Sequence, residues 1–240
     1  MEYNKTDKRI LLIIPAFNEE KNLEKLIEGI KTAYPQYDYL IINDDSSDET
    51  RKLCLRNGYE HVNHFINLGI GGAVQTGYLY ALENGYDIAV QVDGDGQHDI
   101  RYVEKLIQPI IEDRADVVIG SRFIENEGFQ SNLARRMGIR ILSCFIRVLC
   151  NTKIKDVTSG FRAVNRRMIG VYARDYAQDY PEPEAIIIAK MYKARIEEVP
   201  VVMKERESGK SSINLWRSIY YMIKVTLALL ITRISYGVRR

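Results

Sequence analysis

The sequence predicts an α/β fold built on a mostly parallel central sheet flanked by helices, and three observations carry that prediction. Short apolar runs, of the kind buried on both faces of a parallel sheet, recur at residues 10–14, 37–42, 86–92 and 115–119. Segments with apolar residues at helical spacing separate them, which implies right-handed crossovers. Polar motifs follow the runs directly, at residues 15–20, 44–46, 93–99 and 121–122. In open parallel sheets ligands gather at the carboxyl ends of the strands, so four such motifs at one rim point to a binding site.

Residues 10–14 (Ile-Leu-Leu-Ile-Ile) read as the first strand, and Asn18, Glu19, Glu20 and Lys21 open a helix whose Leu23, Leu26, Ile27 and Ile30 share one face. Acidic residues in a first turn favour the positive end of the helix. A second strand at 37–42 leads through Asp44, Asp45, Ser46 and Ser47 into a helix carrying Leu53 and Leu55. Gly69 to Gly72 precede another helix, residues 86–92 form a strand ending at Asp93, residues 100–111 a helix and residues 115–119 a strand.

Beyond residue 122 the pattern changes. Residues 132–150 are cationic and amphipathic, with Arg135, Arg136, Arg140 and Arg147 among Leu133, Ile139, Ile141, Leu142, Phe145, Ile146 and Leu149. Residues 213–235 form a second such segment, with Trp216, Tyr220, Tyr221, Lys224 and Arg233. Both suit helices lying at a lipid interface, where Trp and Tyr concentrate. Packing helices with solvated basic faces are the competing reading. With no internal repeat or low-complexity linker, residues 1–212 are expected to form one domain and residues 213–240 an amphipathic helical extension.

The 240 residues, 46% hydrophobic and 28% charged, suffice for a substantial core and exclude a disordered chain. A formal net charge of +2 gives no argument for nucleic acid, and none is expected as a partner. Cys54, Cys144 and Cys150 are odd in number and lack metal or redox spacing, so buried, reduced thiols in a cytosolic compartment are expected. Residues 1–9 are polar, without the apolar region of a secretory signal. No window reaches the roughly 20 apolar residues that cross a bilayer. The nearest, residues 225–232, is short and bounded by Lys224 and Arg233.

Asp93-Gly94-Asp95-Gly96-Gln97 is the chemical centre. Its glycines let the backbone turn tightly, and Asp93, Asp95 and Gln97 alternate so that several oxygens can gather around one hard divalent ion. Mg²⁺ or Mn²⁺ prefers such ligands and shares them with substrate phosphates. There it would neutralise a diphosphate leaving group. An isolated Asp-x-Asp is a weak signal, because acidic turns are common. A haloacid-dehalogenase-type phosphatase would carry it after the first strand, not roughly the fourth. A dinucleotide fold needs Gly-x-Gly-x-x-Gly after the first strand, and Gly69-Ile70-Gly71-Gly72-Ala73-Val74 comes too late and lacks the last glycine.

Taken together, the motifs resemble those of the family 2, GT-A-type glycosyltransferases, especially the polyprenyl-phosphate (dolichol-phosphate) hexosyltransferases, over residues 10 to about 212. Pro15-Ala16-Phe17-Asn18-Glu19-Glu20 looks like the family's first nucleotide-contact loop, with Pro15, Phe17 and Glu19 at the contact positions. Asn43-Asp44-Asp45-Ser46 looks like its Asp-Asp-Gly-Ser loop, with Asn43 for the first Asp, Asp45 for the Gly, and Asp44 as the nucleoside-contacting acid. Asn67-Leu68-Gly69-Ile70-Gly71-Gly72-Ala73 matches the loop and helix start that follow. The metal motif matches from Asp93 through Asp99, Ile100 replacing a customary proline. Asp156-Val157-Thr158-Ser159-Gly160-Phe161-Arg162 resembles Asp-Pro-Thr-Ser-Gly-Phe-Arg. Arg206-Glu207-Ser208-Gly209-Lys210-Ser211 resembles the loop whose arginine closes over the donor diphosphate, with Ser212 where a lysine often follows.

The resemblance implies a GT-A fold and a nucleotide-sugar donor bound by Pro15, Phe17, Glu19, Asp44, Asp93, Gly94, Asp95 and Arg206. A Mg²⁺ or Mn²⁺ ion would sit on Asp93, Asp95 and Gln97, and Arg122 with Arg135 or Arg136 would hold an acceptor phosphate. A guanidinium fork suits that task, although a surface ion pair is the ordinary role of a lone arginine. A polyprenyl phosphate keeps its tail in lipid, so its phosphate must be met at a membrane surface. The reaction would be one inverting displacement in which Asp95 and Arg122 manage charge and Asp156 acts as base or acceptor-orienting acid. A phosphate monoester has its second pKa near about 6, so positioning should outweigh proton removal. Glu182 and Glu184 are reserve candidates for the acid, His98 reads as structural, and His61 and His64 show no partner.

Two alternatives stay open: a soluble GT-A transferase acting on a saccharide, and a silent subunit that binds nucleotide sugar and recruits a membrane partner. The expected location is cytoplasmic, peripheral on the inner membrane face, in cell-envelope polysaccharide synthesis. A small membrane partner subunit or a homo-oligomer would complete the attachment.

Overall fold

The computed structural model describes residues 7–125, 133–204, 224–231 and 233–234, with residues 133–135 described by their backbone alone. In chain order the elements are β1 (Ile10–Ala16), α1 (Leu23–Ala33), β2 (Asp38–Asn43), α2 (Thr50–Asn57), β3 (His61–Asn63), α3 (Gly69–Glu83), β4 (Ile88–Gln91), a 3₁₀ turn (Ile100–Tyr102), α4 (Val103–Ile111), β5 (Val117–Ser121), α5 (Leu133–Cys150), β6 (Arg162–Asn165), α6 (Arg166–Arg174), α7 (Pro181–Met191) and β7 (Ile196–Pro200). Residues 224–231 are again helical.

The strands form one sheet in the order β3-β2-β1-β4-β6-β5-β7. All neighbouring pairs are parallel except those of β6, which runs antiparallel to both β4 and β5. Strand β1 is buried along its whole length because side chains alternate between two covered faces. Leu11 and Ile13 join the cluster under α3, α5, α6 and α7. Ile10, Leu12 and Ile14 join the cluster under α1, α2 and α4. The result is the expected three-layer arrangement, helices on both faces of a mostly parallel sheet.

Several elements escaped the sequence reading for physical reasons. β3 is a three-residue edge strand, only half-buried. β6 begins with Arg162 and ends with Asn165, so it shows neither an apolar run nor clean alternation, yet Arg162 is 1% exposed. Helix α1 begins at Leu23 rather than near Asn18, because Asn18 takes a left-handed φ of 58° that ends the preceding loop differently. Cys144 is exposed on α5, against the expectation of three buried thiols; Cys54 is buried, and burial pushes its thiol up to about 11. Val225 and Leu229 of the C-terminal helix belong to the core cluster that holds Ile139, Leu142 and Ile146 of α5. The predicted boundary at residue 212 lies outside the described residues.

The far end of the sheet is pinned by Asp116. Its carboxylate accepts from Asn165 Nδ2 at 2.8 Å and from the Arg195 backbone amide at 2.8 Å, and it pairs with the guanidinium groups of Arg195 (3.3 Å) and Arg167 (3.1 Å). Burial alone would raise its pKa, but the bonds from Arg195 and Asn165 and the Arg167 charge overcome that and hold it at about 2. The folded-state value lies below the ordinary 3.8, so ionised Asp116 stabilises the fold above that pH and the contribution is lost as pH falls through about 2. Asp116→Ala should cost about 2 kcal/mol in urea unfolding at neutral pH. Asp116→Asn should flatten the acid dependence of stability between pH 3.8 and about 2.

Candidate active site

The carboxyl ends of β1, β2, β4 and β5 carry the polar motifs, and backbone bonds tie these loops into one rim. The Asp44 amide donates to Ala16 O at 2.9 Å, and the Gly94 amide to Pro15 O at 3.2 Å. Asn18 Oδ1 accepts from the Ser47 amide at 2.8 Å, while the Asn18 amide donates to Ser46 Oγ at 3.0 Å. Glu19 donates its amide to Thr50 Oγ1 at 2.9 Å, and Glu20 accepts the Glu49 amide at 3.0 Å. The acidic residues expected to cap α1 therefore lock two loops together. Phe17 stands beside them, 49% exposed, where a planar ligand could stack.

The Asn43-Asp44-Asp45-Ser46 loop divides its labour. Asn43 is buried and ties β2 to β3 through Asn63 Oδ1 at 2.8 Å. Asp45 has φ 57°, the left-handed conformation for which glycine is the usual residue and which Asp tolerates. Asp44 is 3% exposed, and its Oδ1 accepts from the Leu68 amide at 2.9 Å and meets His64 Nδ1 at 2.7 Å. His64, which showed no partner in sequence, is therefore part of the site; His61 Nδ1 lies 2.7 Å from Tyr59 O.

The Asp93 turn is held from three sides. Its amide donates to His98 Nδ1 at 3.0 Å, so the other ring nitrogen carries the hydrogen and lies 3.6 Å from Asp93 Oδ2. His98 stacks on Phe161, ring centroids 4.6 Å apart. Gln91 Nε2 donates to Asp93 Oδ1 at 2.9 Å, and Asp95 Oδ1 accepts the Gln97 amide at 3.0 Å. Gly96 has φ +74°, as a turn this tight requires. Gly160 closes on the motif: a Cβ there would stand 2.8 Å from Gln91 Nε2 and 3.2 Å from Asp93 Oδ2. Gln91 had no mark in the sequence, and Gly160 stood there only as part of the Asp156–Arg162 motif, since both roles arise from contact between β4 and the loop before β6.

Opposite them, Arg122 and Asp156 form a two-pronged ion pair. Arg122 Nε meets Asp156 Oδ2 and Nη2 meets Oδ1, both at 2.7 Å, and the Arg122 amide adds a third bond at 3.1 Å. Asp156 is fully buried, and its own amide donates to Glu198 Oε1 at 2.9 Å. The buried Arg162 donates to Ser159 O at 2.7 Å and so fixes the same loop from below. Around it stand Tyr78, Tyr172 and Tyr176, mutually 5.2 to 5.4 Å apart. Glu182 opens α7 nearby; burial raises its pKa, with Arg162 and Arg122 opposing and Asp93 adding to the rise. The charges of Asp93, Arg122 and Arg162 all act on Glu182, and Asp156 is bound to Arg122, so these groups lie within one neighbourhood.

Helix α5 is joined to the segment leading to Asp156 through Ser143 Oγ, which donates to Ile154 O. Arg136 is half-buried in its first turns, and Met137, Ile141, Cys144 and Val148 make an exposed row at intervals of four, three and four. On the C-terminal helix Leu227, Ile231 and Ile234 form a similar row. Among the described residues no helix is long and apolar enough to cross a membrane. The Arg135 side chain, Arg206 and residues 213–223 lie outside the described residues.

Whether the Asp93 turn suits a divalent ion can be tested on its donors. Two carboxylates and an amide oxygen offer hard ligands, and among the described residues no cluster of three His, Cys, Asp or Glu side chains forms. Mg²⁺ or Mn²⁺ fits this sparse set, because it takes the remainder of its shell from substrate phosphates and water. Asp93 keeps 31% of its side chain exposed, and the absence of a Cβ at Gly160 leaves its oxygens uncrowded there.

The fold is an α/β architecture whose polar loops gather at the carboxyl ends of its sheet. Residues 11–172 match the family described as Glycosyl transferase family 2, and the chain belongs to that family. It is 36% identical over 216 residues to a UDP-N-acetylglucosamine–dolichyl-phosphate N-acetylglucosaminyltransferase of Methanococcus voltae, covering 81% of this chain and 85% of that one. It is 31% identical over 217 residues to an undecaprenyl-phosphate mannosyltransferase of Micrococcus luteus, covering 86% and 88%. The fold matches solved structures of glucosyl-3-phosphoglycerate synthase from Mycobacterium tuberculosis at a TM-score of 0.71 and 20% identity, over 95% of this chain and 80% of that one. One such structure contains Mn²⁺ and UDP-glucose.

Gly160→Ala should leave the fold cooperative but weaken Mn²⁺-dependent nucleotide binding and turnover by about tenfold to a hundredfold, since the new methyl displaces Asp93 or Gln91. Calorimetric titration with UDP or GDP in Mn²⁺ reads this directly, and unchanged affinity would show that Asp93 tolerates displacement.

Proposed function

We propose that this chain is an inverting, metal-dependent hexosyltransferase that moves a sugar from a UDP- or GDP-sugar to a polyprenyl phosphate, while lying peripherally on the inner face of a membrane. The observation that carries the acceptor class is the similarity, over more than four-fifths of both chains, to two transferases named for dolichyl- and undecaprenyl-phosphate acceptors.

In this reading Phe17, Asp44 and the Pro15 loop take the nucleoside. Asp93, Asp95 and Gln97 would hold Mg²⁺ or Mn²⁺, which when bound neutralises charge on the departing diphosphate. Gly94 brings the backbone close to the diphosphate, and Arg206 would cover it. An oxygen of the acceptor phosphate attacks the anomeric carbon as the bond to the diphosphate breaks, which inverts the centre. A phosphate monoester is largely dianionic at neutral pH, its second pKa being about 6, so no strong base is needed. That fits the state of Asp156, whose oxygens are engaged by Arg122 and whose carboxylate is fully buried. Its role is to hold Arg122, with Arg135 or Arg136, toward the acceptor phosphate. The apolar rows on α5 and the C-terminal helix, with Arg140 and Arg147 exposed on the same α5 surface, support a lipid-facing side.

The test is transfer of label from UDP- and GDP-sugars into organic-extractable lipid, with short polyprenyl phosphate in detergent and with or without Mn²⁺. Metal-dependent label from one donor is expected, with Asp95→Ala slowing transfer by about a hundredfold or more. Label appearing only as free sugar would leave the acceptor class wrong. Asp156→Asn should slow turnover less than Asp95→Ala, because an amide oxygen still accepts from Arg122. Equal losses with donor binding intact would give Asp156 a proton-transfer role instead. Replacing Ile141 and Val148 by Asp should weaken co-sedimentation with anionic vesicles by about tenfold or more. Unchanged sedimentation would remove α5 from the lipid contact.

A further inference from the structure

The proposed nucleoside contact depends on a nearly buried carboxylate, and a carboxylate in that setting needs hydrogen bonds that fix both its charge and its direction. Asp44 Oδ1 receives two: the Leu68 amide at 2.9 Å and His64 Nδ1 at 2.7 Å. A carboxylate oxygen accepts, so Nδ1 carries the hydrogen. Asp44 Oδ2 accepts nothing from the described residues and is the oxygen left for a ligand. On its other side the His64 ring meets Thr76 Oγ1 through Nε2 at 2.9 Å, and Thr76 is anchored on α3 through Gly72 O at 3.0 Å. Asn67 Nδ2 adds a bond to the Asp44 carbonyl at 3.0 Å. The imidazole is therefore held at both nitrogens, wedged between the rim loop and the first turns of α3.

We infer that His64 is a positioning residue for the nucleoside of the donor: through Asp44 Oδ1 it holds Oδ2 toward the cleft, to accept a hydrogen bond from the base or the ribose. The inference rests on the reading of Asp44 as the nucleoside contact and goes beyond it, since it names the residue that makes Asp44 competent and ties it to α3. It also accounts for a histidine that no other part of the mechanism uses.

Calorimetric titration of the full chain in Mn²⁺, with UDP, GDP and inorganic pyrophosphate as probes, separates the possibilities. His64→Ala should weaken binding of the nucleoside diphosphate that the wild type takes by about tenfold, the loss expected when one charge-assisted hydrogen bond no longer orients its acceptor. Pyrophosphate, which has no nucleoside, should bind within about twofold of wild type. His64→Asn should restore most of the nucleotide affinity, because its amide nitrogen reaches the place of Nδ1. Asp44→Ala is the control for the underlying reading and should lose affinity at least as strongly as His64→Ala.

If Asp44→Ala weakens nucleotide binding and His64→Ala does not, the positioning role is wrong and the proposed function stands. If His64→Ala weakens pyrophosphate and nucleotide alike, or His64→Asn is no better than His64→Ala, the residue supports the fold rather than the nucleoside and the inference is overturned. If Asp44→Ala binds nucleotide as wild type does, the placement of the donor site itself fails.

Discussion

Antiparallel pairing of β6 with β4 sets Gln91 opposite Arg162 and Val90 opposite Ala163, and the site depends on that single reversed strand. A parallel β6 would enter the sheet from the opposite end. Running backwards, it begins at the rim where β1, β2, β4 and β5 finish, so the loop that precedes it, residues 156–161, lies among their carboxyl ends. Gly160 can then close on Asp93, and Asp156 can grip Arg122 as it leaves β5. The insertion of β6 between β4 and β5 also separates the Asp93 turn from Arg122 by the width of a strand.

Three carboxylates at this rim, Asp156 and Asp44 buried and Asp93 31% exposed, are held in three ways. Asp156 is matched by a guanidinium fork and spends both oxygens on it. Asp44 is held through one oxygen by a backbone amide and an imidazole, which leaves the other for use. Asp93 is steadied by a neutral amide, Gln91, and by His98 acting on its backbone, so its charge is the least compensated of the three. Removing a carboxylate from water costs several kcal/mol when its charge is unmatched. Asp93 keeps part of its side chain in solvent, which offsets the weaker compensation from the protein.

Helix α5 answers to two demands at once. Ile139, Leu142 and Ile146 pack into the core with Val225 and Leu229, while Met137, Ile141, Cys144 and Val148 face outward. Its inner face fixes the start of the Asp156 loop through Ser143 and Ile154. A helix so placed joins the Asp156 segment to an exposed row of apolar side chains.

The sequence by itself determined the three-layer class, because β1, β2, β4 and β5 are apolar runs whose burial on both faces needs no partner to be recognised. It also determined the order of the polar motifs, since local chemistry places Asp44, Asp93 and Arg122 directly after strands. What it could not reveal are the relations that join residues distant in the chain. β6 has no apolar signature because its first residue is a buried arginine, made tolerable by the carbonyls of Ser159 and Val157. Gly160 matters for the space beside Asp93, and His64 for its contact with Asp44, facts that exist only after the sheet has assembled. Tertiary structure decided these because hydrogen bonding and exclusion act through space, whereas periodicity and local propensity act along the chain.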